Sequence, residues 1–187
     1  RLRVLILLGL GCAAFLSSCD FIAPGKVPDP IFTQTPSQPC YDRNWIAPTL
    51  PALIPGYAEL DPSTNLHITG KFQIIDPDTY RLVVDGKVKK RLEYSLEQLR
   101  CLPRVSAGTL LVCPGYFEDY AAWAGVSLKF ILDQAELQPG AKEIILMGKD
   151  GYMSFVSLEE AMKETNFLAY EWEGEPLPVL HGFPLRA

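Results

Sequence analysis

Proline decides where this chain can build regular structure. Nine of its sixteen prolines fall between Pro24 and Pro62. Each fixes φ, removes a backbone donor and biases the residue before it toward extended conformations. Such a stretch favours a stiff spacer, or an irregular arm laid on a neighbouring domain with Trp45, Ile46 and Tyr57 as its packing groups. The folded core is therefore expected in residues 63–187. A total of 187 residues, 48% of them hydrophobic, fits one domain with modest additions and a core that needs no disulfide staples. With 17 Lys+Arg against 22 Asp+Glu the formal charge is −5, which excludes a nucleic-acid partner recognised through a basic stripe.

Ahead of the prolines, Arg1 and Arg3 precede an apolar run that ends in small residues and a cysteine. Cations followed by a short apolar segment form the export-signal pattern. The run is shorter than the ~20 apolar residues that span a bilayer comfortably. Leu16-Ser17-Ser18-Cys19 resembles the lipobox of bacterial lipoproteins. That resemblance implies a leader over 1–18, a lipidated Cys19, a tether or arm over 19–62 and a domain over 63–187. The protein would then sit outside the cytoplasm, in the periplasm or on the outer face of the cytoplasmic membrane, held by lipid. An uncut signal anchor is the alternative.

From Leu66 the pattern becomes that of a folded domain. Residues 80–84 and 88–92 flank Asp85-Gly86, a pair that tolerates positive φ and predicts a hairpin. Ser95 and Gln98 frame a capping box before Leu96, Leu99 and Leu102. Residues 109–112 read as a short buried strand that delivers Cys113 at its end. Ser127 caps a helix whose Leu128, Ile131, Leu132 and Ala135 repeat at helical spacing, closed by Pro139-Gly140. Strands are expected over 143–147 and 152–156, around an Asp150-Gly151 turn. Ser157 and Glu160 open a helix through Lys163, and 167–172 is a strand before a Glu173-Gly174 turn. Strands outnumber short helices without regular alternation, which predicts an α+β fold with a mixed β-sheet.

Chemistry-bearing residues are few: His67, His181 and five cysteines. No Cys-x-x-Cys, His-Glu-x-x-His or glycine-rich phosphate loop occurs, which argues against a zinc cage and a c-type haem. Export and lipidation would leave Cys40, Cys101 and Cys113, and three thiols cannot all pair. Cys40 with Cys101 is one pairing, which the sequence alone does not fix. Cys113 precedes Pro114-Gly115, a turn that puts it at the rim of a sheet. On position alone it is either an inert cysteine or a ligand-facing one.

Several blocks, in order, resemble the sulfite oxidase family of molybdopterin oxidoreductases. They are Asp76-Pro77-Asp78-Thr79-Tyr80-Arg81-Leu82 through Asp85-Gly86, Ser95-Leu96-Glu97-Gln98-Leu99, Leu111-Val112-Cys113-Pro114-Gly115 and Trp123-Ala124-Gly125-Val126-Ser127-Leu128. Asp150-Gly151-Tyr152, Leu168-Ala169-Tyr170-Glu171 with Gly174-Glu175-Pro176-Leu177-Pro178, and His181-Gly182-Phe183-Pro184-Leu185-Arg186 complete the set. The resemblance implies a molybdopterin-binding fold and a molybdenum–molybdopterin cofactor. In it Cys113 gives its thiolate to the metal, which a pterin dithiolene otherwise holds. His181 and Arg186 would contact the pterin and its phosphate, and Asp150 would lie in a loop approaching the pterin. An arginine fork suits phosphate bidentately.

Two departures qualify this expectation. Where the family carries a substrate-binding arginine, this chain reads Asn65-Leu66-His67-Ile68-Thr69-Gly70-Lys71-Phe72, with His67 and Lys71 as the nearest substitutes. The family also continues past the position of Arg186, so the resemblance implies a fold truncated at its C-terminus: either a fragment or a chain without the cofactor. The expected activity is oxygen-atom transfer on a small substrate, with electrons passed to an external cytochrome or membrane subunit. A cofactor-free binding scaffold is the competing reading, and a Cys113/His181 thiol hydrolase a weaker third.

Overall fold

The structure is a computed structural model that describes residues 45–187, together with the backbone of two strands, β1 (Ile6–Leu8) and β2 (Leu10–Cys12). Apart from those strands the expected leader, with Cys19 and Cys40, lies outside the described residues. Next come β3 (Leu60–Asp61), β4 (Leu66–His67), β5 (Gly70–Phe72), β6 (Leu82–Val84), β7 (Leu92–Tyr94) and α1 (Leu96–Arg100). The two longest strands follow, β8 (Arg104–Cys113) and β9 (Phe117–Ser127), then α2 (Leu128–Ala135). β10 (Glu143–Gly148), β11 (Met153–Ser157), α3 (Leu158–Ala161), β12 (Phe167–Trp172), β13 (Glu175–Pro176) and a 3-10 turn at Val179–His181 complete the chain.

One sheet has the order β13-β12-β9-β8 and is antiparallel throughout. A second has the order β1-β10-β11, with β1 parallel and β11 antiparallel to β10. Three two-stranded pairs, β2-β5, β3-β4 and β6-β7, surround them. The fold is thus α+β, with a mixed, sheet-dominated architecture and short helices. Among the described residues no helix is long and apolar enough to cross a membrane.

Helix starts follow their caps. Ser95 accepts from the Gln98 N–H while Gln98 accepts from the Ser95 N–H, closing the capping box of α1. Ser127 accepts from Phe130 N–H and Ser157 from Glu160 N–H. Leu128, Ile131, Leu132 and Ala135 form the buried face of α2. That helix ends at Ala135, earlier than Pro139, because Glu136 turns left-handed at φ 52°.

A hairpin does form around Asp85-Gly86, with β6 antiparallel to β7, but not with the expected tight turn. Gly86 does adopt φ 101°, but the paired strands are Leu82–Val84 and Leu92–Tyr94, leaving 85–91 as a loop. The loop supports a distant helix instead. Its Lys89 and Lys90 N–H groups donate to Glu136 O and Ala135 O, satisfying carbonyls at the end of α2. Val88 bridges to Leu137. β8 is also longer than the expected 109–112, since β9 pairs with it through ten consecutive registers. α3 stops at Ala161, short of Lys163.

Residues 45–62 touch the domain through Trp45 and Asp61, whereas Ile46 and Tyr57, expected as packing groups, are exposed at 81% and 60%. Trp45 stacks on Phe183 with ring centroids 5.8 Å apart, and Arg100 covers the same indole at 4.6 Å. β3 carries Asp61 into a buried contact with His181. Cys101, the C-cap of α1, is disulfide-bonded.

Candidate active site

The β8–β9 hairpin organises the site. Cross-strand pairs share one face of a sheet, so Cys113 with Phe117, Leu111 with Asp119, Thr109 with Ala121 and Ala107 with Trp123 lie on the same side. Asp119, Ala121 and Trp123 are buried, whereas the alternating Glu118, Tyr120 and Ala122 are exposed. Burial therefore marks the face of Cys113 as the inward one. Cys113 itself is half-buried at the end of β8, where Tyr116 N–H donates to its carbonyl and Gly115 takes φ 81°. Its thiol is not sealed within the aliphatic core.

Beside it lies a histidine–carboxylate pair. Asp119 accepts from the His67 backbone N–H through Oδ2 and pairs with His67 Nδ1 through Oδ1, both at 2.7 Å. The imidazole stacks on Phe117, 4.4 Å between centroids and 6° from parallel. Asp119 is 3% exposed in its side chain and His67 25%.

Further in, His181 is buried at the end of the 3-10 turn. Its Nε2 lies 3.0 Å from Asp61 Oδ2 and 2.9 Å from Thr64 Oγ1. Burial, with the charge of Arg186, pulls the imidazole below its ordinary pKa despite the opposing carboxylates of Asp61 and Asp119. Burial raises Asp61, but two hydrogen bonds from Ser63 and one with His181 leave its carboxyl below the ordinary value.

Arg186 is fixed by its backbone, which exchanges two hydrogen bonds with Ala169 of β12. Its guanidinium lies 4.9 Å from the centroid of the Trp123 ring, and Nη1 donates to His181 O at 3.3 Å. Trp123 stands six residues from Phe117 along β9, about 20 Å at the rise of an extended strand. Cys113, Asp119 and Trp123, over which Arg186 lies, thus face the same side of the β8–β9 ribbon. Asp150 sits elsewhere, in the exposed β10–β11 turn, where it accepts from Tyr152 N–H at 3.0 Å.

Asp61, Thr64 and Asp119 do not stand out in the sequence. A signal for Asp119 is nonetheless present: an acid in register with Phe117, Ala121 and Trp123 on the apolar face of a strand. Asp61 belongs to the proline-rich stretch, where no periodicity marks a buried position.

The donor set fits a metal that brings most of its own ligands. Among the described residues no group of three or more His, Cys, Asp or Glu could hold a metal ion. A single half-buried thiol suits a metal already chelated by a pterin dithiolene, and Arg186 has the donor geometry for a phosphate.

Known proteins resemble this chain in sequence and in fold. The family model described as the oxidoreductase molybdopterin binding domain matches residues 69–187. An uncharacterized oxidoreductase, YuiH, of Bacillus subtilis (strain 168) is 30% identical over 132 residues, 65% of this chain and 67% of its own length. The putative protein-methionine-sulfoxide reductase subunit YedZ1 of Azospira oryzae is 22% identical over 182 residues, covering 95% of this chain and 69% of its own. Human mitochondrial sulfite oxidase is 32% identical over 142 residues, 60% of this chain but 26% of that much longer enzyme. The sulfane dehydrogenase SoxCD of Paracoccus pantotrophus shares the fold, with a TM-score of 0.58 at 23% identity over 71% of this chain and 39% of its own.

Proposed function

The chain belongs to the oxidoreductase molybdopterin-binding family, and we propose that it is the cofactor-holding part of an exported, lipid-anchored oxidoreductase. Its reaction is oxygen-atom transfer to or from a small substrate, with electrons exchanged with an external partner. The observation that carries this reading is the placement of Cys113: a half-buried thiol at the open end of β8, on the same buried face as the row that ends under Arg186.

When bound, the molybdenum–pterin group supplies two-electron redox chemistry coupled to oxygen transfer. The protein's own residues hold and orient it. Cys113 offers a soft sulfur donor. Arg186, pinned to β12 and stacked on Trp123, presents a planar cationic fork to a phosphate. His181, its Nε2 held by Asp61 and Thr64, fixes the segment from which Arg186 projects. Asp150 belongs to the turn assigned to the pterin by the family resemblance.

Export and anchoring rest on the leader pattern and on Cys19. An external electron partner is supported by the relative that is itself named a subunit. The test is metal analysis combined with pterin fluorescence on the complete protein from a host that makes the cofactor. Molybdenum and pterin in equal amounts are expected. A folded preparation with neither contradicts the reading and leaves the fold as a binding scaffold.

A further inference from the structure

We propose that His67, oriented by Asp119, is the proton-transfer group of this site, with Asp119 as its positioning residue. The inference rests on the cofactor reading above and adds a residue role to it.

The geometry is that of an imidazole held for use. Asp119 is a buried carboxylate that takes both the backbone N–H and the ring Nδ1 of His67 at 2.7 Å. A carboxylate only accepts, so Nδ1 carries the hydrogen and the neutral ring keeps its lone pair on Nε2. Phe117, stacked 6° from parallel, fixes the ring plane. The buried carboxylate sits on the Nδ1 edge, and a quarter of the side chain remains accessible. Phe117 is also the residue paired opposite Cys113, so the ring is held at the Cys113 end of the β8–β9 ribbon. Its counterpart His181 differs in kind: buried, with Nε2 already engaged by Asp61 and Thr64.

Oxygen transfer needs such a group. When water supplies the oxygen, its two O–H bonds break, one bond forms from oxygen to the substrate, and two protons and two electrons are released. The two electrons leave one at a time to the external redox partner, which is reduced twice per turnover. One proton goes to His67 Nε2 and on to solvent, the other directly to water. In the reducing direction the same ring donates a proton to the departing oxygen. The ionisable groups on the strands around it are Asp119 on β9, Asp61 on β3, Cys113 on β8 and Lys71 on β5, with Glu118 on the opposite face of β9.

The experiment needs no substrate. Redox titration of the metal centre in the complete, cofactor-loaded protein is repeated from about pH 5 to 9, a range that brackets imidazole ionisation. The wild-type midpoint potential is expected to bend within that range. His67→Gln should remove the bend at unchanged metal and pterin content, and Asp119→Asn should weaken it because the ring loses the carboxylate that holds it in place. Nitrogen-15 spectra of histidine-labelled full-length protein give a second readout, simplified by a total of two histidines. They should show His67 in its Nδ1–H tautomer, and Asp119→Asn should perturb that signal. A bend that persists in a fully loaded His67→Gln variant overturns this inference alone. Absence of metal from the wild type overturns it together with the reading on which it rests.

Discussion

His181 and Asp61 meet 3.0 Å apart with both side chains 3% exposed, so their protonation is linked to folding. The folded state keeps His181 neutral, whereas the unfolded chain protonates it near the ordinary 6.5. Unfolded molecules therefore bind more protons as pH falls through that value, and stability present above it declines. Asp61 adds a second loss further down, as pH drops below the ordinary carboxylate value of 3.8 and the folded form resists protonation. Denaturant melts between pH 8 and about 5 should show the first loss, and His181→Gln should flatten it. A wild-type curve flat across this range would contradict the assignment.

At the level of elements, β9 carries most of the design. A Cβ added at Gly125 would meet Leu168 O at 1.8 Å and Ala169 Cα at 2.7 Å, both backbone atoms of β12. Gly125→Ala should therefore separate the strands on which Trp123 and Arg186 depend. A loss of several kcal/mol, at the upper end of the usual ~0.5–3 kcal/mol range or beyond, is expected in chemical unfolding. Ser127→Ala removes the cap of α2 and should cost about 1 kcal/mol by the same measurement. The helix starts are legible in the sequence because Ser95, Ser127 and Ser157 act through neighbours three residues away. The strand pattern is less so. Asp85-Gly86 has the chemistry of a hairpin turn, but the loop after it serves the end of α2, a demand from about 50 residues downstream that no local signal encodes. The full length of the β8–β9 ribbon is hidden because its outer face exposes Tyr120 and Glu118, breaking the run that marks a buried strand.

For the whole molecule, two sheets and an irregular arm must act together. Cys113 stands out in the sequence as a thiol before Pro-Gly at a strand end, and the structure places it there. The site around it does not, because it is assembled from β4, β9 and the 3-10 turn, far apart in sequence. The arm belongs to that assembly: a chain begun at Asn65 loses the Trp45–Phe183 stack and the Asp61 partner of His181, and should melt at a lower temperature than a chain begun at Trp45. Equal melting temperatures would show the arm to be a mere spacer. Cys19→Ala should shift the expressed protein from the membrane to the soluble extracytoplasmic fraction, and unchanged membrane retention would contradict lipid anchoring at that residue. The central claim rests on the sulfur of Cys113. It is tested by comparing metal content in the complete wild-type protein and in Cys113→Ser, both matured with the cofactor and checked for equal folding by circular dichroism. Molybdenum near one per chain in the wild type and its loss in the serine variant is the predicted result. Metal retained at the wild-type level in the variant would contradict the account.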